Sequence, residues 1–127
     1  MSWQAYVDQN LLGAGVVTAA GIYDLQGNPW AYSAGFAAQV AEVAAVSAHF
    51  AEPTGLAATG VTIAGVKYMF VRGSSNEEIY AKKGNDGVFF FRCNTCIIVA
   101  HHNDKLQPGV CSAGVAKLGD FLKESGI

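Results

Sequence analysis

Charge is sparse in this chain. Only 14% of its 127 residues are Asp, Glu, Lys or Arg, and the formal net charge is −2. A nucleic-acid partner therefore has no support from the overall electrostatics, because phosphate backbones are held by a cationic surplus. Cysteine is scarce and odd in number, at three, so a disulfide framework is not indicated. No basic-then-apolar leader opens the chain, and reduced thiols in the cytoplasm are expected. Half of the residues are apolar (51%), yet no apolar run is long enough to span a bilayer. There is no Gly-rich loop set for phosphates between a strand and a helix, and no G-x-S-x-G. Nothing assembles a general acid, a base and a nucleophile, so no enzyme and no cofactor are expected. No repeat, linker or low-complexity tract divides the chain, and residues 1–127 read as one domain, long enough for a core without staples.

The periodicities then give the elements. Residues 2–12 read as a helix capped by Ser2, with apolar positions at Trp3, Tyr6, Val7 and Leu11, ended by Gly13 and Gly15. Val16 to Tyr23 reads as a buried strand, and Trp30 to Ser33 as a short one after Pro29. Phe36, Val40, Val43, Ser47 and Phe50 repeat at helical spacing, which predicts a helix over 36–50. The period then changes to two. Residues 61–64 and 66–72 predict a hairpin, and strands follow over 79–83, 88–92 and 96–102, with Gly84-Asn85-Asp86-Gly87 a strong turn. A last helix over about 110–124 carries Cys111, Val115, Leu118, Phe121 and Leu122 on one stripe, with Gly126 as its cap. Gly114 and Gly119 inside it predict close approach to another backbone, such as the sheet beneath. Consecutive strands with short turns make an antiparallel meander, so the fold class is α+β in three layers.

Few candidate sites survive inspection. Cys93-Asn94-Thr95-Cys96 is a C-x-x-C, but residues three apart on a strand point to opposite faces, so the thiols read as structural. His101-His102 with Asp104 diverges in the same way, His49 stands alone, and no metal site is expected. Trp3 and Tyr6, three apart on a helix, share one face. They suit either a core stripe or a ligand platform. With Trp30, Phe121 and Ile127 they make an aromatic and apolar set fit for a proline-rich segment. A polyproline II helix has flat ring faces and carbonyls without internal partners, which Trp and Tyr meet with planar surface, an N–H and an O–H. Lys67, Arg72, Lys82, Lys83 and Arg92 form a basic group within the strands, open to reading as ordinary solvated charge.

Five motifs in order resemble the profilin family. They are Trp3-Gln4-Ala5-Tyr6-Val7-Asp8, Gly27-Asn28-Pro29-Trp30-Ala31, Ser33-Ala34-Gly35-Phe36, Ile79-Tyr80-Ala81-Lys82-Lys83-Gly84 and Leu118-Gly119-Asp120-Phe121-Leu122. The resemblance covers the whole chain. It implies a profilin-like central antiparallel sheet with the N- and C-terminal helices packed together on one face and the middle helix on the other. It also implies two partners. Proline-rich proteins such as formins would lie across Trp3, Tyr6, Trp30, Phe121, Leu122 and Ile127. Phe121 stands where the family has Tyr or His, and Ile127 where it has a final aromatic, so weakened or altered proline binding is expected. An actin monomer would meet Lys67, Phe70, Arg72, Lys83, Gln107, Gly109, Ser112, Ala113, Ala116 and Lys117. Weak phosphoinositide binding and a cytoplasmic, cytoskeleton-associated location are further implications. A small-molecule sensor domain is the alternative, but it needs an internal cavity, and Phe89-Phe90-Phe91 argues for a filled core. A thiol oxidoreductase comes third.

Overall fold

The computed structural model describes residues 2–127. Ser2 caps the first helix, its Oγ accepting from the Ala5 amide at 3.1 Å. That helix opens as α1, Trp3–Ala5, and loosens into π-helical winding over Tyr6–Leu12. The Gly13 amide reaches back five residues to the Asp8 carbonyl at 2.8 Å. Val7 and Leu11 remain on one face and are fully buried, as the apolar pattern requires.

Seven strands form one antiparallel sheet. They are β1 (Ala19–Asp24), β2 (Pro29–Tyr32), β3 (Val61–Ile63), β4 (Val66–Ser74), β5 (Glu78–Lys83), β6 (Asp86–Arg92) and β7 (Cys96–His102). Their order across the sheet is β2-β1-β7-β6-β5-β4-β3. The later five strands make the expected meander. β1 then pairs with the last strand, with Gly21 opposite Val99. The first strand begins at Ala19 rather than Val16, and Val17 is buried from the preceding loop.

The middle helix is shorter than its periodicity suggested. α2 spans Val40–Ser47, because Gly35 turns the chain at φ 81° and a capping box between Gln39 and Glu42 sets the start. Phe36 and Phe50 lie outside it yet are buried in the same cluster. A 3-10 turn at Pro53–Gly55 and the short α3, Leu56–Thr59, were not anticipated from sequence. The last helix, α4, spans Pro108–Glu124 and ends in a Schellman motif. Gly126 sits at φ 84°, its amide bonded to the Lys123 carbonyl at 3.0 Å, and the Ile127 amide meets the Leu122 carbonyl at 2.9 Å.

Strand alternation divides the core in two. Ile22, Tyr80, Phe89, Phe91 and Ile98 face the terminal helices and meet Val7, Leu11, Val115, Leu118 and Leu122. Ile79, Val88, Phe90, Ile97 and Val99 face the opposite way, against Val43, Val46, Phe50 and Leu56. The three phenylalanines of β6 thus feed both layers, and all are buried. The expected three-layer α+β architecture is present.

The structure corrects two sequence expectations. Gly114 and Gly119 do permit close approach, but to side chains and not to backbone. A Cβ at Gly114 would stand 2.6 Å from Val16, and one at Gly119 would overlap the Phe91 ring. Cys93 and Cys96 do not lie on one strand. They flank the two-residue turn between β6 and β7, and the Cys93 amide donates to the Cys96 carbonyl at 2.8 Å. Residues paired across an antiparallel ladder point to the same face, so both thiols enter the core under α4.

Tyr23 is 1% exposed, and its hydroxyl has no hydrogen-bond partner among the described residues. Burial, and then the nearby Tyr32 and Glu42, push its pKa upward. A buried hydroxyl without a partner keeps its desolvation penalty. Tyr23→Phe is therefore expected to raise the free energy of unfolding by about 1 kcal/mol, seen as a higher denaturant midpoint. A fall of that size would show that the hydroxyl is bonded in solution.

Candidate functional site

Four rings from three elements stand in a row. Trp30 comes from β2, Trp3 and Tyr6 from the N-terminal helix, and Phe121 from α4. The ring centroids are 4.8 Å apart for Trp30 and Trp3, 5.7 Å for Trp3 and Tyr6, and 6.2 Å for Tyr6 and Phe121. Successive planes are tilted, so the row offers edges and faces together rather than a flat stack. Gln4 fixes the helix to the sheet edge, its Nε2 donating to the Tyr32 carbonyl at 2.9 Å and to Asp8 Oδ1 at 3.1 Å.

The two readings of Trp3 and Tyr6 resolve into one arrangement. Both are half-buried, as is Trp30, with their inner edges against the core below the terminal helices. Phe121 is 50% exposed. Leu122 departs from expectation: it is fully buried and adds no surface to the row. Its place one residue past Phe121 turns it about 100° around the helix, under the row instead of along it. Ile127 is half-buried at the end of α4, held by the Schellman motif and by Thr95, whose Oγ1 donates to the Ile127 carbonyl at 2.8 Å.

Beyond Phe121 the row opens into a cleft of about 650 Å³ between the terminal helices. Tyr6 and Phe121 form one wall, Val16 and Leu118 lie among the lining residues, and Gln9, Asn10 and Lys117 bring polar groups. Sequence reading missed this cleft. Two small residues, Ala14 and Gly114, are among its lining. Chemically, the row and cleft suit an extended apolar ligand that lacks N–H donors, since the available indole N–H and phenol O–H groups seek carbonyls.

The second set of candidate residues lies on β4, β5 and the start of α4. Lys67, Arg72, Lys83, Gln107, Gly109, Ala113 and Lys117 are exposed, while Phe70, Ser112 and Ala116 are half-buried. A cleft lined by Lys82, Asn85, Asp104 and Gln107 joins the β5–β6 turn to the N-terminus of α4. Arg72 is not free solvated charge. It pairs with Glu78 at 2.9 Å, and its guanidinium lies 5.6 Å from the centre of the Tyr80 ring. The register of β4 against β5 shifts between Phe70 and Arg72, which leaves Val71 as the extra residue of a bulge. Met69 (76% exposed) and Val71 (52%) thus present apolar surface beside the basic residues. Neither was singled out from sequence, although two apolar residues flanking Phe70 on an edge-side strand were a usable signal. Lys117 borders both regions, because it also lines the cleft beside Phe121.

The histidines separate as their adjacency predicts. His101 Nδ1 meets Thr18 Oγ1 at 2.6 Å, while His102 is buried and accepts or donates to Tyr80 Oη at 2.8 Å. His49 Nδ1 meets the Ala45 carbonyl one turn back. No group of three metal-ligating side chains occurs among the described residues. No helix among them is long and apolar enough to cross a membrane.

Comparison with known proteins agrees with this geometry. The family model for profilin matches residues 1–127. Profilin-2 of Dictyostelium discoideum is 48% identical over 122 residues, covering 96% of each chain. The crystal structure of Acanthamoeba castellanii profilin II superposes with a TM-score of 0.95 at 40% identity, covering 99% of this chain and 100% of that one. Mouse profilin IIa, solved with a double repeat from the FH1 domain of mDia1, shares the fold at a TM-score of 0.83 and 20% identity, over the whole of both chains. With motifs, fold and full-length similarity in agreement, the chain belongs to the profilin family, whose members are actin- and polyproline-binding regulators and not enzymes.

Proposed function

We propose that residues 1–127 act as a single binding domain with two separate surfaces, one for proline-rich segments and one for an actin monomer. The observation that carries the first assignment is the continuous row from Trp30 through Trp3 and Tyr6 to Phe121. Trp3, Tyr6 and Trp30 supply ring surface and donors to the ligand's carbonyls. Phe121 supplies ring surface without a donor, and Ile127 supplies apolar surface without a ring, so the far end of the groove grips less. The FH1 repeat bound by the mouse relative suggests the occupant: proline-rich segments of formin-like assembly factors.

The actin monomer docks on Lys67, Phe70, Arg72 and Lys83 with Gln107, Gly109, Ser112, Ala113, Ala116 and Lys117. Met69 and Val71 add the exposed apolar area that such an interface needs at its centre. The chain holds the monomer, blocks its addition at one filament end and favours exchange of its bound nucleotide. A proline-rich partner on the other surface then raises the local concentration of that monomer. The work is done in the cytoplasm at the cytoskeleton. Phosphoinositide binding is weak, as expected for a chain of net charge −2.

Titration of intrinsic tryptophan fluorescence with a proline decamer tests the first surface. Trp3 and Trp30 are the only tryptophans and both stand in the row, so a saturable spectral change is expected. A flat titration together with no retention on immobilised polyproline would overturn the assignment. For the second surface, Lys67→Glu with Lys83→Glu is expected to slow actin association about tenfold at low salt, with less effect as salt rises. Association rates equal to the parent chain's at every salt concentration would move the actin surface elsewhere.

A further inference from the structure

We propose that Cys93 and Cys96 form a reversible, peroxide-oxidised disulfide that loosens the C-terminal end of α4. The two residues face each other across the last rung of the β6–β7 hairpin, with Arg92 opposite Ile97 on the rung before. Their backbones are joined by the 2.8 Å bond from the Cys93 amide to the Cys96 carbonyl. Hydrogen-bonded cross-strand pairs have Cα atoms about 5.5 Å apart, inside the span of roughly 4.4–6.8 Å that a disulfide bridges. Both side chains enter the same core cluster. The third cysteine, Cys111, lies in that cluster too, with its thiol pushed up to about 12 by burial, which keeps it a neutral bystander.

The pair is also asymmetric. The Cys96 hydrogen bond lowers the Cys93 pKa, helped by the Lys123 ammonium, whereas Cys96 is raised by the same contact and by burial. Cys93, the sulfur held against α4 near Lys123, is the nucleophile. Its thiolate attacks one oxygen of hydrogen peroxide, the O–O bond breaks, hydroxide leaves, and a sulfenic acid remains. Cys96 sulfur then attacks the Cys93 sulfur, giving up its proton, and the sulfenic oxygen departs as water. The dithiol loses two electrons in all, and one peroxide becomes two oxygen atoms at the level of water. Both sulfurs are buried, but peroxide is nearly water-sized, and the two residues between them in the chain, Asn94 and Thr95, are exposed.

The hairpin end is tied to α4 and to the chain just past its end at three places. Cys93 Sγ donates to the Gly119 carbonyl at 3.7 Å, Asn94 Nδ2 to the Lys123 carbonyl at 3.4 Å, and Thr95 Oγ1 to the Ile127 carbonyl at 2.8 Å. Oxidation deletes the first bond outright, since a disulfide sulfur has no hydrogen. Closing the bridge also draws the two Cβ atoms nearer than ladder spacing sets them, which shifts the turn carrying the other two. Phe121 and Ile127 sit on the segment so released.

The test treats the whole chain with equimolar peroxide, digests it and weighs the peptides. Residues 93–105 lie between Arg92 and Lys105, so trypsin delivers both cysteines in one peptide and leaves Cys111 in another. The expected result is a 93–105 peptide lighter by two hydrogens, blocked to alkylation until dithiothreitol is added, with amide exchange faster over 119–127. Cys93→Ala and Cys96→Ala should each lose the response, while Cys111→Ala retains it. Intermolecular dimers, a modified Cys111, or unchanged exchange over 119–127 in the bridged chain would each overturn the proposal. Where proline binding is measured alongside, a several-fold weaker grip after oxidation is expected. That readout alone rests on the proline-binding reading: a reduced chain that ignores proline would remove that reading and leave the mass and exchange results to stand or fall separately.

Discussion

Trp3→Ala is expected to abolish retention on immobilised polyproline while leaving actin binding intact. Trp3 is the joint of the row, in ring contact with both Trp30 and Tyr6. Removing it leaves a gap one ring wide and two rings with no common surface. Truncating a central interface tryptophan costs about 2–4 kcal/mol, roughly 30-fold or more in Kd. Proline-rich ligands make few contacts, so a loss of that size takes binding below what a column retains. Trp3 is half-buried, so the variant loses some stability as well, but it meets the sheet at β2, across the sheet from the actin-proposed residues on β4 and β5. Preserved actin binding is therefore the check that the chain remains folded. Undiminished polyproline retention would detach the row from proline binding, whatever else the variant does.

Gly119→Val is expected to be among the most destabilising single substitutions outside the apolar core itself. Gly119 is buried where α4 crosses β6, and a Cβ there would overlap the edge of the Phe91 ring. Phe91 is itself 6% exposed and has no room to retreat. Overpacking of a filled core costs about 1–3 kcal/mol, and the extra valine methyls carry the strain toward the upper end. The improved helix propensity recovers only a few tenths of a kcal/mol. The net expectation is a loss of about 2–3 kcal/mol of stability, measured by urea unfolding. Because Phe121 stands two residues on, lifting α4 also displaces the far end of the ring row. Proline affinity should fall with stability for this reason. Gly114→Ala is the comparison: its Cβ would stand 2.7 Å from Val16 Cβ as well as within 2.8 Å of both methyls, so the Val16 backbone must move, and a loss of stability is expected there too.

Local pattern carried much of this fold. Val7 and Leu11 against Trp3 and Tyr6 announced an amphipathic first helix, and β6 announced a strand buried on both faces through three consecutive phenylalanines. The boundaries that failed did so for local reasons overridden by neighbours. Phe36 and Phe50 keep the helical period without being helical, because the cluster around α2 buries them whatever their backbone. Cys93 and Cys96 were read as opposed by the rule for residues three apart on one strand, although the strands over 88–92 and 96–102 leave a turn between them. Across a hairpin the pair faces one way instead.

By itself the sequence determined the family, the α+β class, the meander of later strands and the identity of the ring-bearing residues. Each of these is written in short-range spacing, which the backbone converts to structure through the helical and strand periods. Only the tertiary structure decided that the rings form a row. Trp30 reaches Trp3 because β1 pairs with β7, and so carries β2 to the sheet edge beneath the first helix. Phe121 reaches Tyr6 because Gly119 lets α4 settle onto Phe91. The same packing buried Leu122, opened the cleft beside Lys117 and set Cys93 against Cys96. Such contacts join residues distant along the chain, and they are selected by burial of apolar surface, a force that has no direction and leaves no spacing in the sequence.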